Sequence, residues 1–259
     1  MKVTMSLIAG TLGLSLSVTS AADKTNCWSP NGSWSLSLQE RYIAIRVSRV
    51  PHNGLSLWSD LNINLPEGFY VNIWDHHGIE GRDKSKQPDE LDLAFGWRRQ
   101  ISWYDLEVGL ATSYLNNSPL GLWLTHDALS QAATISKTYA FGQHTLKPQI
   151  RVEWMSLATD FDGGSFILMP NVSHVWRQPF STKPLCFTHQ LFMVHDDGFV
   201  GPKNDSEGYF LRWNAGLRWQ LSKRMTLTLP SYAAQIPLHK GNDGRGQATS
   251  WGTMLTWSF

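Results

Sequence analysis

From about residue 33 onward, apolar residues recur at every second position, and the residues between them are polar or small. A two-residue period puts successive side chains on opposite faces of a strand, so each run predicts a strand with one apolar and one polar face. Residues 34–47 open with Trp34, Leu36 and Leu38 on one face and then change phase to Ile43, Ile45 and Val47. That change predicts a bulge near Glu40 and Arg41. In 55–65, Leu55, Leu57, Leu61, Ile63 and Leu65 oppose Trp58, Asp60, Asn62 and Asn64. In 69–76, Phe69, Val71 and Ile73 oppose Tyr70, Asn72, Trp74 and His76. In 91–98, Leu91, Leu93, Phe95 and Trp97 oppose Asp92, Ala94, Gly96 and Arg98. In 104–111, Tyr104, Leu106, Val108 and Leu110 oppose Asp105, Glu107, Gly109 and Ala111. The pattern returns in 146–154, with Lys147, Gln149, Arg151 and Glu153 on the polar face, and in 209–220, with Arg212, Asn214, Gly216 and Arg218. Residues 166–176 and 185–195 are apolar on both faces and leave their phase open.

The connections carry a second pattern. Short turns fall at 66–68, 99–102, 142–145, 178–184 and 221–224. Long or polar loops fall at 75–90, 116–129, 158–164, 196–207 and 238–246. The two kinds alternate, which gives about 12 strands with both chain ends on the short-turn side. An all-β, transmembrane, antiparallel up-and-down β-barrel has this layout, with short periplasmic turns and long external loops. The glycine-rich stretches 162–164 and 241–246 read as hairpin loops rather than ion-binding loops.

Composition sharpens the choice. The chain has 13 Trp, 11 Phe and 7 Tyr, yet only 17% charged residues, and no apolar block long enough to span as a helix. Alternation explains how so aromatic a chain avoids long apolar runs. A net charge of +1 argues against a nucleic-acid partner. Residues 1–22 read as a signal peptide, with Lys2, a short apolar stretch and a small-residue end at Ser20, Ala21 and Ala22. Residues 23–32 then form a periplasmic segment and 33–259 the barrel. The chain finishes on Trp251, Leu255, Trp257 and Phe259 at alternate positions. An unpaired strand in lipid leaves backbone groups without partners, so this last strand is expected to close the ring against the first, with outer-membrane lipid around it.

Two resemblances follow from these residues. A terminal Phe259 preceded by Trp257 is similar to the C-terminal signal read by the barrel assembly machinery of bacterial outer membranes. The first half, through Arg46-Val47-Ser48, Gly68-Phe69-Tyr70, Trp74, Glu90-Leu91-Asp92 and Tyr104 to Gly109, resembles the TorF family of proteobacterial porins. It departs from that pattern where Val47 replaces a glycine. The resemblance implies a small porin-like channel and assigns it no catalytic residue.

The inward face would then carry both signs of charge. Pore-lining candidates are Asp60, Asn62, Tyr70, Trp74, Asp92, Arg98, Asp105, Glu107, Lys147, Arg151, Glu153, Arg212 and Arg218. Such a lumen suits passive diffusion of small solutes, or else is filled by its own salt bridges, since 12 strands fall between closed and open barrels. Trp58, Tyr70 and Trp74 form an inward aromatic track that could stack on a ring-shaped solute or pack against a plug or inward loop. The remaining alternative is an enzyme at the external rim, where Asp75-His76-His77, His126-Asp127 and His195-Asp196-Asp197 pair imidazole with carboxylate. No serine sits in a nucleophile motif, no metal or cofactor motif is evident, and a channel rather than an enzyme is expected. Cys27 and Cys186 both fall at the periplasmic end. A disulfide between them would tether the N-terminal segment beneath the lumen.

Overall fold

The structure, a computed structural model, describes residues 31–43, 53–79, 89–116, 127–157, 160–178, 185–197, 208–238 and 247–259. Its strands are β1 (Asn31–Gln39), β2 (Ser56–Asn64), β3 (Phe69–Gly78), β4 (Glu90–Ile101), β5 (Leu106–Asn116), β6 (Ala128–Lys137), β7 (Tyr139–Phe141), β8 (His144–Leu157), β9 (Asp160–Arg177), β10 (Leu185–Asp196), β11 (Gly208–Gln220), β12 (Met225–Pro237) and β13 (Ala248–Ser258). β6 and β7 both pair with β8 and are two pieces of one span, broken at Thr138. The result is a closed antiparallel barrel of 12 strands. The barrel begins at Asn31, two residues earlier than expected.

Closure is made by the ends of the chain. β13 pairs with β1 from Ser33–Ser258 to Gln39–Gly252. Beyond that ladder, Gly32 N donates to Phe259 O at 3.0 Å and Phe259 N donates to Gly32 O at 3.1 Å. The ring therefore has no open edge, as a backbone in hydrocarbon requires. The alternation sorts the side chains. Phe95, Leu110, Ile150, Trp251 and Trp257 are exposed on the outer wall, whereas Asp60, Asp92, Ser113 and Glu153 are buried within. An apolar exterior around a polar interior inverts a soluble fold and suits lipid.

Four expectations need correction. First, β1 ends at Gln39 and does not run to Val47 with a bulge. The chain turns into the lumen at 40–43 instead, so the change of phase marks a corner. Second, the loop expected at 158–164 is a tight hairpin: β9 starts at Asp160, and Leu157 pairs with it. Gly164 makes this possible, because a Cβ there would lie 2.4 Å from the Trp154 ring. Glycine under an aromatic is a strand-compatible arrangement. Third, β4 continues to Ile101, which pairs with Leu106, so the turn expected at 99–102 comes at 102–105. Fourth, Asp105 is part of that turn, with φ 53, and accepts a 2.8 Å hydrogen bond from Gln100. It is not on the inner wall. The open phases are also settled: Leu168 and Val172 face out while Ile167, Met169 and Asn171 face in, and Leu191 and Met193 face out while Gln190, Phe192 and Val194 face in. The expected signal peptide, Cys27, His126 and the 241–246 loop lie outside the described residues.

Two outcomes test this geometry. Leu110 is 59% exposed at the middle of β5, so Leu110→Arg should cost about 2–4 kcal/mol, read by denaturant unfolding in lipid vesicles. Deleting Phe259 removes both terminal hydrogen bonds at the seam and should lower the heat-modifiable folded fraction in membranes.

Candidate pore and its constriction

The inner wall is polar because each strand turns its alternate residue inward, and many of those residues bond to one another across strands. At the periplasmic mouth, Arg98 Nη2 donates to Asn64 Oδ1 at 2.6 Å, with its guanidinium 5.3 Å over the Tyr70 ring. Tyr70 lies across Gly96, where a Cβ would come within 2.3 Å of that ring. On the next strands, Lys147 Nζ meets Glu107 Oε1 at 2.8 Å, and Ser136 Oγ also donates to that carboxylate. Cys186 stands opposite Arg218 in the β10–β11 ladder, also at this end.

Deeper in, the contacts are more buried. Asp60 Oδ1 accepts from Asn72 at 2.6 Å and from Asn62 at 3.0 Å. Arg151 Nε donates to Glu153 Oε2 at 2.9 Å, and both side chains are almost wholly buried. Ser130 Oγ donates to the other oxygen of Glu153. Arg212 Nε donates to Asn214 Oδ1 at 2.9 Å. Asp92 is fully buried on the same wall. Of the residues picked from the sequence, all but Asp105 thus project from strands toward the lumen. A buried network of this kind orders the interior, and removing one partner of a buried pair is costly.

The outer part of the lumen is different. Leu115, Met155, Ile167, Phe192, Val194 and Phe210 point inward there and are buried. Into this apolar zone comes the turn that follows β1. Glu40 N donates to Trp251 O at 2.8 Å, and Ser250 Oγ donates to Arg41 O at 2.8 Å, which sets the corner. Tyr42 then lies 4.3 Å from the His76 ring and 5.7 Å from the Trp74 ring, and its hydroxyl donates to Glu90 Oε2 at 3.3 Å. The next residue is held from the other side: Arg212 Nη1 donates to Ile43 O at 2.7 Å. Glu90 is on β4 and Arg212 on β11, six places apart in the ring of 12. Two consecutive residues therefore bar the lumen from wall to opposite wall. A cavity of about 50 Å³ remains beside the bar, between Tyr42, Trp58, Asp60, Trp74, Arg212 and Asn214. It has room for a few waters.

Sequence reasoning did not find Tyr42, although the phase change beside it was the available signal. Of its two readings of the aromatic track, the structure displays packing against an inward segment at Trp74. The rim residues are spread around the ring. His77 lies 3.2 Å from Asp75 and 3.5 Å from Asp89. Tyr114 donates to Asp127 before β6, and His195 stacks on Tyr209 at 4.5 Å on the far side. Among the described residues of the hydrolase alternative, His77, Asp127 and His195 make these separate contacts and share none.

No protein-family model matches the chain, and no curated protein does. Solved structures do. The NanC porin aligns over 88% of this chain and 100% of its own, with 7% identity and a TM-score of 0.55. The KdgM porin, solved with disordered oligogalacturonate, aligns over 88% and 99%, with 9% identity and a TM-score of 0.51. An outer membrane channel from Pseudomonas putida F1 aligns over 92% and 100%, with 10% identity and a TM-score of 0.51. The shared property is the fold.

The buried pair makes a test. Arg151→Met alone should destabilise the barrel by about 3–5 kcal/mol, because it strands the Glu153 carboxylate. The double variant Arg151→Met/Glu153→Leu should lose less, in the same denaturant titration.

Proposed function

We propose that the protein is a porin-like channel of the bacterial outer membrane, passing small polar solutes by passive diffusion and narrowed near its outer mouth by Tyr42 and Ile43. The observation that carries this reading is the division of the lumen. Its periplasmic part is polar and charged with both signs, and the bar across its outer part belongs to a turn and not to the wall. Pore diameter and the groups that line the narrowest point set what passes, and here these are Tyr42 with Trp74, His76, Glu90 and Arg212. Balanced charge predicts weak ion selectivity. The fold shared with outer-membrane porins and the resemblance of residues 33–115 to the TorF family both favour the reading. The aromatic Phe259 end fits delivery by the barrel assembly machinery.

A structural barrel with a filled lumen is the second reading, favoured by the burial of Arg151 and Glu153 at mid-lumen. Planar-bilayer recording of refolded protein separates the two. The wild type should conduct weakly, and Tyr42→Ala should conduct more. Arg218→Glu, opposite Cys186 and on the wall of the cavity beside the bar, should shift the reversal potential in a salt gradient toward cations. No conductance from either the wild type or Tyr42→Ala would decide for the filled barrel.

A further inference from the structure

On the lipid-facing wall, polar rings interrupt the apolar belt on three adjacent strands. His144 on β8, His174 on β9 and His189 on β10 face outward near the periplasmic turns. Nδ1 of His144 is 3.0 Å from Nε2 of His174, and Nδ1 of His174 is 2.8 Å from Nε2 of His189. Phe141, Trp176 and Phe187 flank the row, with ring centroids 5.6, 5.6 and 5.5 Å from the nearest imidazole. Three neutral imidazoles hold three N–H groups, and the chain consumes two. The third is left at one end, facing surroundings that must supply an acceptor. Beside the turns the acceptors on offer are water and lipid headgroup oxygens.

Directly toward the membrane centre lies an apolar groove of about 490 Å³. Pro148 and Pro170 line it, with Ile135, Ile150, Val172 and Leu191. Val172 and His174 are successive outward residues of β9, as are Leu191 and His189 of β10, so the groove opens onto the histidine row. Lys137 lines the same groove. Its ammonium donates to Tyr104 O at 3.1 Å and lies 5.5 Å over the Tyr139 ring. That leaves it two further donors. No carboxylate is among the lining residues.

We propose that this face binds one phospholipid of the periplasmic leaflet. An acyl chain lies in the groove, the phosphate diester accepts the one N–H that the histidine row leaves over, and the Lys137 ammonium on the same groove adds positive charge. The charge complementarity selects the occupant: phosphate oxygens are anionic acceptors, and this rim offers donors and a cation. Lipid held only by apolar contact would call for neither.

Native mass spectrometry of the full barrel, extracted in mild detergent and supplied with phosphatidylglycerol or with diacylglycerol, tests this. The wild type should retain one phosphatidylglycerol and shed diacylglycerol. His144→Gln/His174→Gln/His189→Gln should lose most of the bound phosphatidylglycerol, and so should Val172→Trp, which fills the groove. Heat-modifiable mobility verifies that each variant is folded. If the histidine variant does not fold, Lys137→Met takes its place and should show the same loss. Equal retention of diacylglycerol by the wild type would reduce the site to apolar contact and overturn the proposal. Undiminished retention of phosphatidylglycerol by a folded variant would overturn it as well.

Discussion

The absence of water inside a bilayer governs everything else in this molecule. A backbone amide in hydrocarbon has no partner except another backbone group, and a sheet supplies such partners only if it has no edge. The ring must therefore close, and it closes at the two ends of the chain, where Gly32 and Phe259 exchange both of their backbone hydrogen bonds. Once the sheet is a ring, every strand has an inner and an outer face. The outer face must be apolar, and the inner face is left to hold the polar groups. The charged interior is thus a consequence of closure, and its internal pairing is what allows so narrow a cylinder to contain it.

That pairing is graded along the axis. Near the periplasmic mouth the contacts are partly exposed, as at Lys147–Glu107 and Arg98–Asn64. Such pairs contribute little to stability but set the local field. At mid-lumen, Arg151 and Glu153 are sealed from solvent, and their loss is expensive. Farther out, polarity gives way to Phe192, Phe210 and their neighbours. Charged groups persist there as well, at Glu90, Asp92 and Arg212, but they are buried among these apolar side chains.

The fold was legible because alternation is a local property. Leu91 to Arg98 and Leu146 to Trp154 announce their faces within eight or nine residues, and a tight turn such as 66–68 is marked by Pro and Gly. What was not legible was local pattern overruled by packing. Phe192 and Phe210 face inward, against the rule of polar interiors, because the outer lumen is a small apolar core. The ambiguous phase of 185–195 was the trace of that core. Tyr42 stayed hidden for a related reason: its partners Trp74, His76 and Glu90 are distant in sequence, and no period of two reports on them. Gly164 was misread as part of a loop because a glycine beneath Trp154 carries the same letter as a glycine in a turn.

The bar at Tyr42 and Ile43 hangs from a connection between β1 and β2, two strands already paired along their length from Asn31–Asn64 to Gln39–Ser56. Its corner is bonded to β13 through Glu40 N and Trp251 O, but the β1–β2 ladder does not run through Tyr42 and Ile43. In the channel proposed above, permeability and assembly are then separable traits. Substitutions in a few residues of one external connection can widen, narrow or re-line the passage while the cylinder continues to fold and insert as before. A lineage that met a new solute could adapt by drift in this short segment and leave the twelve spans untouched.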